Sequence, residues 1–261
     1  MRVTFRCDLA LESVLPRPAP ARDALPGWLR DMPRHAASEL HAGAEVRTVK
    51  HCPPFVDAMA HGFTMPLACD VAVADGRLSW DWAVPPLSAS AHPRAPISFH
   101  GPAQLAGTPF HDPQSVAVKF NAFWTIELEP GWSLLAMHPL NRPDLPFRLL
   151  SGLVDCDRFS DVGVLFPAVW VDPGFRGTLP RGTPFAQCVP VPREPMELDI
   201  RCLTDADARR YDATAAALLG GVPHHYRRLR APRGASEGGR DSPNQGGAEG
   251  GGIEEQAPAR R

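Results

Sequence analysis

Residues 115–138 read SVAVKFNAFWTIELEPGWSLLAMH. In the first half, Val116, Val118 and Phe120 alternate with Ala117 and Lys119. That period of two sends successive side chains to opposite faces of a strand. The run stops at Glu129-Pro130-Gly131, where turn residues take over, and WSLLAMH (132–138) resumes the β-prone pattern. The same grammar repeats on both sides. VTFRC (3–7), EVRTVKH (45–51), FTMPLACDVAV (63–73), RLSWDW (77–82) and PISFH (96–100) precede it. FRLLSGLVD (147–155), VGVLFPAVWV (162–171) and PFAQCVPV (184–191) follow. Several end at Pro or Gly, as edge strands and tight corners do. The expectation is a mainly β chain.

Proline strengthens that reading. Thirty of the 261 residues are Pro, well above the ordinary share of about 5%. Each one lacks an N–H and fixes φ, which interrupts long helices and central ladders. PRPAPARDALPGWLRDMPRH (16–35) should accordingly be extended, with one helical turn at PGWLRDM (26–32). One convincing helix is predicted over 204–219. Thr204 can cap it, Asp205 and Asp207 suit its first turn, and Gly220 follows its end. The basic-aromatic VPHHYRRLR (222–230) reads as a segment that packs across the domain. Residues 231–261 are Gly-rich with Ile253 as their one large aliphatic, and should form a disordered tail. The organisation expected is one irregular β-rich domain over 1–230, including the helix at 204–219, followed by that tail.

Charge and cysteine usage narrow the partners. A formal net charge of −2 offers no electrostatic case for nucleic acid or an anionic membrane surface. No apolar run approaches the ~18 residues of a membrane span. Met1 leads straight into MRVTFRCDL with no apolar leader, so a cytoplasmic location is the expectation. The six cysteines are scattered without a C-x-x-C and read as small buried hydrophobes. A small-molecule ligand is the expected partner, and homo-oligomerisation is left open.

The most informative motif is Gly152-Leu-Val-Asp155-Cys-Asp157-Arg-Phe159. It resembles the dUTPase motif Gly-x-(Val/Ile)-Asp-x-Asp-Tyr-Arg-Gly. Pro184-Phe-Ala186-Gln187-Cys-Val189 is similar to the Ile-Ala-Gln-(Leu/Ile) strand of those enzymes, and the segment 57–67 is loosely similar to their opening Ala-Gly-Tyr-Asp-Leu. Phe175 to Gln187 also matches Phe-x-Gly-x-Ile-Pro-x-Gly-Thr-Pro-x-Ala-Gln, a pattern carried by a family of uncharacterised phage and bacterial proteins that the chain resembles over roughly residues 1–230. The dUTPase-like resemblance implies a β-clip fold and nucleotide binding or nucleoside-triphosphate hydrolysis. It implies Asp155 as the carboxylate that binds sugar and activates water, Phe159 as the aromatic that packs on the sugar, and Mg²⁺ on the phosphates. Asp157, Asn141 and Arg142 are the further candidates for substrate contact, the last two standing near the place of the family's Pro-Arg-Ser. The chain departs from the pattern at Arg158-Phe159-Ser160, at the missing hydroxyl beside Arg142, and at GGAEGGG (246–252), which has no Arg or aromatic.

Three other readings stand beside this one. Both aspartates could simply hold a turn, because Asp accepts hydrogen bonds from the amides that follow it. His51, His61, His92, His100, His111 and His138 could serve an Fe(II)-dependent oxygenase, though the adjacent His111-Asp112 would point to opposite sides of a strand. Trp80, Trp82, Phe123, Trp124 and Trp132 could floor the pocket of a non-catalytic small-ligand binding module, or could be core.

Overall fold

The computed structural model describes residues 1–112, 117–219 and 225–229. The chain divides into two compact units, Met1–Asp199 and Ile200–Arg261. The first unit holds strands β1 (Val3–Arg6), β2 (Ala19–Pro20), β3 (His35–Ala37), β4 (Glu45–Arg47) and β5 (Phe63–Pro66). They are followed by β6 (Val71–Ala74), β7 (Arg77–Ser79), β8 (Ile97–His100), β9 (Ala117–Leu128) and β10 (Trp132–Met137). The last are β11 (Phe147–Leu149), β12 (Gly152–Val154), β13 (Gly163–Trp170), β14 (Gly177–Leu179) and β15 (Pro184–Pro192). Each β-prone run of the sequence contains a strand, so the chain is mainly β.

Two five-stranded antiparallel sheets carry the architecture. In one, the order is β1-β9-β13-β11, with β8 also paired to β9. The twelve-residue β9 is long enough to pair β8 through Ala117–Phe120 and β1 through Thr125–Leu128. In the other, the order is β12-β10-β15-β5-β2. Smaller sheets are β14-β6-β7 and β3-β4. The main core includes Phe120, Ile126, Phe147 and Phe166 from the first sheet and Leu134, Phe185 and Ala186 from the second. Phe185 joins them physically, stacking on Phe120 at 4.9 Å and meeting Phe166 edge-on at 5.3 Å.

Strict alternation fails in the middle of β9, where Phe120, Asn121, Ala122 and Phe123 are all buried. Phe123 belongs to a second small core with Leu11, Leu15 and Ala68 on the opposite face. The buried Asn121 is satisfied there, since its Nδ2 donates to Ala95 O and its Oδ1 accepts from Ser98 Oγ. A strand covered on both faces cannot display a polar face, so period two is lost.

Two local expectations are corrected. EVRTVKH is strand only over β4, because Val49–His51 closes a 3-10 turn. A helix, α2 (Pro53–Ala60), then follows, with prolines in its first turn, where a missing N–H is harmless. The expected turn at PGWLRDM is α1 (Gly27–Asp31).

In the second unit α3 spans Asp205–Leu219, and a short α4 spans His225–Leu229. Thr204 and Asp207 form the reciprocal cap of α3. The Asp207 amide donates to Thr204 Oγ1 at 3.3 Å, and the Thr204 amide donates back to Asp207 Oδ2 at 2.9 Å. The proposed tail, 231–261, lies outside the described residues, as do Gly220 and, of the 222–230 segment, 222–224 and 230. Among the described residues no helix is long and apolar enough to cross a membrane.

Candidate functional site

Val154 pairs with Leu134 across the β10–β12 ladder, so the next residue, Asp155, comes opposite Ser133. The Ser133 hydroxyl donates to Asp155 Oδ1 at 2.6 Å, and Arg193 Nη1 lies 3.3 Å from the same oxygen. Even so, 54% of the Asp155 side chain is exposed. The chain then turns back, with the amides of Arg158 and Phe159 donating to the Asp155 main-chain carbonyl at 2.9 and 2.8 Å. The bonds that close this turn therefore end on a carbonyl, while both carboxylates bond to residues remote in sequence. Phe159 is exposed beside it.

Asp157 has a different environment. Its side chain is only 5% exposed, and the Arg193 guanidinium grips it through both nitrogens, one N–H···O contact being 2.7 Å. Its Oδ2 also accepts the Gly131 amide at 3.0 Å. The Arg193 hydrogen bonds, and then the Gly131 amide, hold this carboxyl far below the usual carboxylate range. The Arg193 amide donates to Gly131 O at 2.9 Å, and its Nη1 donates to Trp132 O at 3.2 Å. Asp157 thus locks the end of β15 to the turn between β9 and β10. No oxygen of it is left for a substrate.

Two of the resembling segments, 57–67 and 184–189, meet at Gln187, which is 2% exposed. Its Nε2 donates to Ala58 O at 2.8 Å and His61 O at 2.7 Å, while its Oε1 accepts the Leu140 amide at 2.9 Å. All the side chain's strong bonds are used to clamp the end of α2 and the loop after β10 against β15. Gly62 sits within this clamp at φ +73°, and a Cβ there would lie 2.1 Å from Cys188 O. The pattern from Phe175 to Gln187 has a similar structural basis. Leu179 and Ala186 are buried, Gly182 takes φ +86°, and its amide donates to Leu67 O at 2.8 Å.

Asn141 and Arg142 are not brought to Asp155. They follow the far end of β10, four residue steps beyond Ser133 at Met137, roughly 13 Å along the strand. Asn141 adopts φ +56°, a conformation Asn tolerates, and it shapes the loop. Arg142 forms a bidentate pair with Asp144 at 2.9 Å through Nη2 and 2.9 Å through Nε.

His138 fastens the same loop. Its Nε2–H donates to Arg142 O at 3.0 Å, and its Nδ1 accepts the Leu149 amide at 3.4 Å, a pairing that only the neutral ring satisfies. Burial pushes the ring below its ordinary 6.5, opposed by the bond to the Arg142 carbonyl and by Asp144 and helped by the charges of Arg148 and Arg142. The unfolded chain therefore takes up the proton first as pH falls, and stability drops from pH ~6.5 downward. The melting temperature should fall by a few degrees between pH 7.5 and 5.5, and His138→Gln should shrink that difference. An unchanged difference in the variant would refute the assignment.

Among the described residues no three His, Cys, Asp or Glu side chains converge as metal ligands. His111 instead bonds to Pro102 O, and His100 to Gln104. Around the 155–159 turn, Asp155 alone presents an accessible carboxylate, because the oxygens of Asp157 are taken. These residues do not form a cradle for Mg²⁺. Of the five aromatics, Trp80 and Trp82 lie beyond the end of β7; Phe123 is buried and meets Trp82 edge-on at 4.9 Å, and Trp80 and Trp132 pack on the main core. Trp124 lines a cleft of about 520 Å³.

Sequence reasoning did not single out Ser133 or Arg193, the two partners that distinguish the aspartates. Arg193 stands in PVPRE, where nothing local connects it to acids 36 residues earlier. Comparison with models of known protein families and with curated proteins gives no match.

Proposed function

We propose that the protein binds a nucleotide at the turn after β12 and hydrolyses its phosphate chain, as the dUTPase-like, β-clip resemblance implies. The observation that supports this reading is the unequal treatment of the two carboxylates. Asp157 is consumed by Arg193, whereas Asp155 is held in one orientation by Ser133 with more than half its side chain open. A fixed, accessible carboxylate can accept a proton from an attacking water, and an exposed aromatic at Phe159 supplies a surface for a sugar or base. Ser133 positions the carboxylate. Arg142 and Asn141, at the other end of β10, have no part in this turn on the same chain.

Asp155→Asn keeps the shape and the Ser133 bond but removes the proton acceptor. Nucleoside-triphosphate hydrolysis, assayed with and without Mg²⁺, should fall by about 100-fold with an unchanged melting temperature. Wild-type protein that neither hydrolyses nor is stabilised by any nucleotide would end the proposal.

A further inference from the structure

We propose that the cleft over Trp124 is a binding site for a small anion carrying a planar ring. It lies between the end of β1 and the loop over residues 9–18, and its lining includes Phe5, Arg6, Cys7, Glu12, Arg17 and Trp124. Its volume, about 520 Å³, is in the range that encloses most of a small metabolite.

The cleft is built rather than incidental. Trp124 Nε1–H donates to Pro16 O at 3.0 Å, so one edge of the indole is spent on the loop that forms the lip. Leu11 and Leu15 are buried beneath that loop. Asp8 anchors its start, accepting the Ala10 amide at 2.9 Å and the Ser88 amide at 2.7 Å. Walls fixed before a ligand arrives reduce the ordering entropy of binding.

The chemistry of the lining selects the ligand. Phe5 and Trp124 offer aromatic surface, on which a flat ring gains stacking energy. Arg17 pairs with Glu12 at 3.4 Å, with side chains 74% and 56% exposed. An ion pair that open to water is weak, so a ligand phosphate or carboxylate can displace Glu12 from the guanidinium fork. Arg6 stands on the other wall, paired with Glu127, and its Nη2 donates to Ser160 O at 3.3 Å. A ring over Trp124 and an anion toward Arg17 satisfy both halves of the cleft at once. This site stands apart from the carboxylate role of Asp155.

Calorimetric titration with uridine monophosphate, indole-3-acetate, uridine and inorganic phosphate tests it. At least one of the two ring-bearing anions should bind the wild type at least tenfold more tightly than uridine or phosphate alone. Binding of the nucleotide identifies phosphate as the anion, and binding of indole-3-acetate identifies a carboxylate. Arg17→Ala removes a side chain that is mostly solvent-exposed, so it should fold normally while losing about tenfold in affinity. Glu12→Gln removes the competing carboxylate and should bind severalfold more tightly. No saturable binding of either ring-bearing anion up to about 5 mM, or an affinity unchanged in Arg17→Ala, overturns the proposal. Loss of binding in Asp155→Asn would move the ligand to the other site and overturn it too, whereas retained binding with no hydrolysis would leave the cleft standing alone.

Discussion

Gln187→Leu should destabilise the first unit by about 3–5 kcal/mol, lowering the melting temperature by roughly 10 °C. Leucine fills nearly the same space, so the loss comes from polar groups and not from a cavity. The carbonyl of His61 and the amide of Leu140 would lose their partner inside the protein, and the Ala58 carbonyl would keep only the His61 amide at 3.3 Å. Each buried group left unpaired costs about 1–3 kcal/mol, and relaxation toward solvent recovers part of the total. Gln187→Glu separates this account from simple packing. Glutamate still accepts from Leu140 but turns an oxygen toward two carbonyls, so it should be at least as damaging as leucine at neutral pH. A leucine variant melting within a degree or two of the wild type would show that the clamp is not holding the fold.

Arg193→Ala should lower the melting temperature by roughly 5–10 °C, because it strands the enclosed Asp157 carboxylate without its bidentate partner. Arg193→Lys should recover only part of the loss, since an ammonium cannot reproduce the fork. Asp157→Asn in the alanine background should restore stability relative to Arg193→Ala alone, because the unpaired charge is gone. Failure of that rescue would refute the ion-pair account. The pH dependence has a definite sign. The folded-state pKa of Asp157 is depressed, so its contribution is complete above the ordinary 3.8 and is lost only as pH falls well below the usual carboxylate range. Any stability change between pH 5.5 and 7.5 must therefore come from elsewhere, with His138 the named source.

Much of the secondary structure was legible in the sequence, because strands and caps are written in neighbours. The breaks at Glu129-Pro130-Gly131 and the Thr204 cap of α3 depend on a few adjacent residues, and both are found as read. α2 was hidden because two prolines open it within a stretch read as β and turn, although the first turn of a helix tolerates them. The two-faced burial of β9 was hidden as well, since Phe123 becomes a core residue only when Leu11, Leu15, Ala68 and Trp82, all distant in sequence, close over it.

The candidate site divides along the same line. From the sequence alone came the mainly β class, the positions of most strands, the helix after Thr204, and the pairing of Asp155 with Asp157 on one short turn. The tertiary structure alone decided what those aspartates are. Antiparallel pairing of β10 with β12 and β15 sets Ser133 against Asp155 and brings Arg193 onto Asp157, across sequence separations of 22 and 36. It also sets Asn141 and Arg142 at the opposite end of β10, apart from the turn that the motif had grouped with them. Local patterns encode period, turn and cap because those interactions span only a few bonds. Register between distant strands is fixed by burying a shared core, so the neighbours of a carboxylate, and with them its chemistry, exist only once that core has formed.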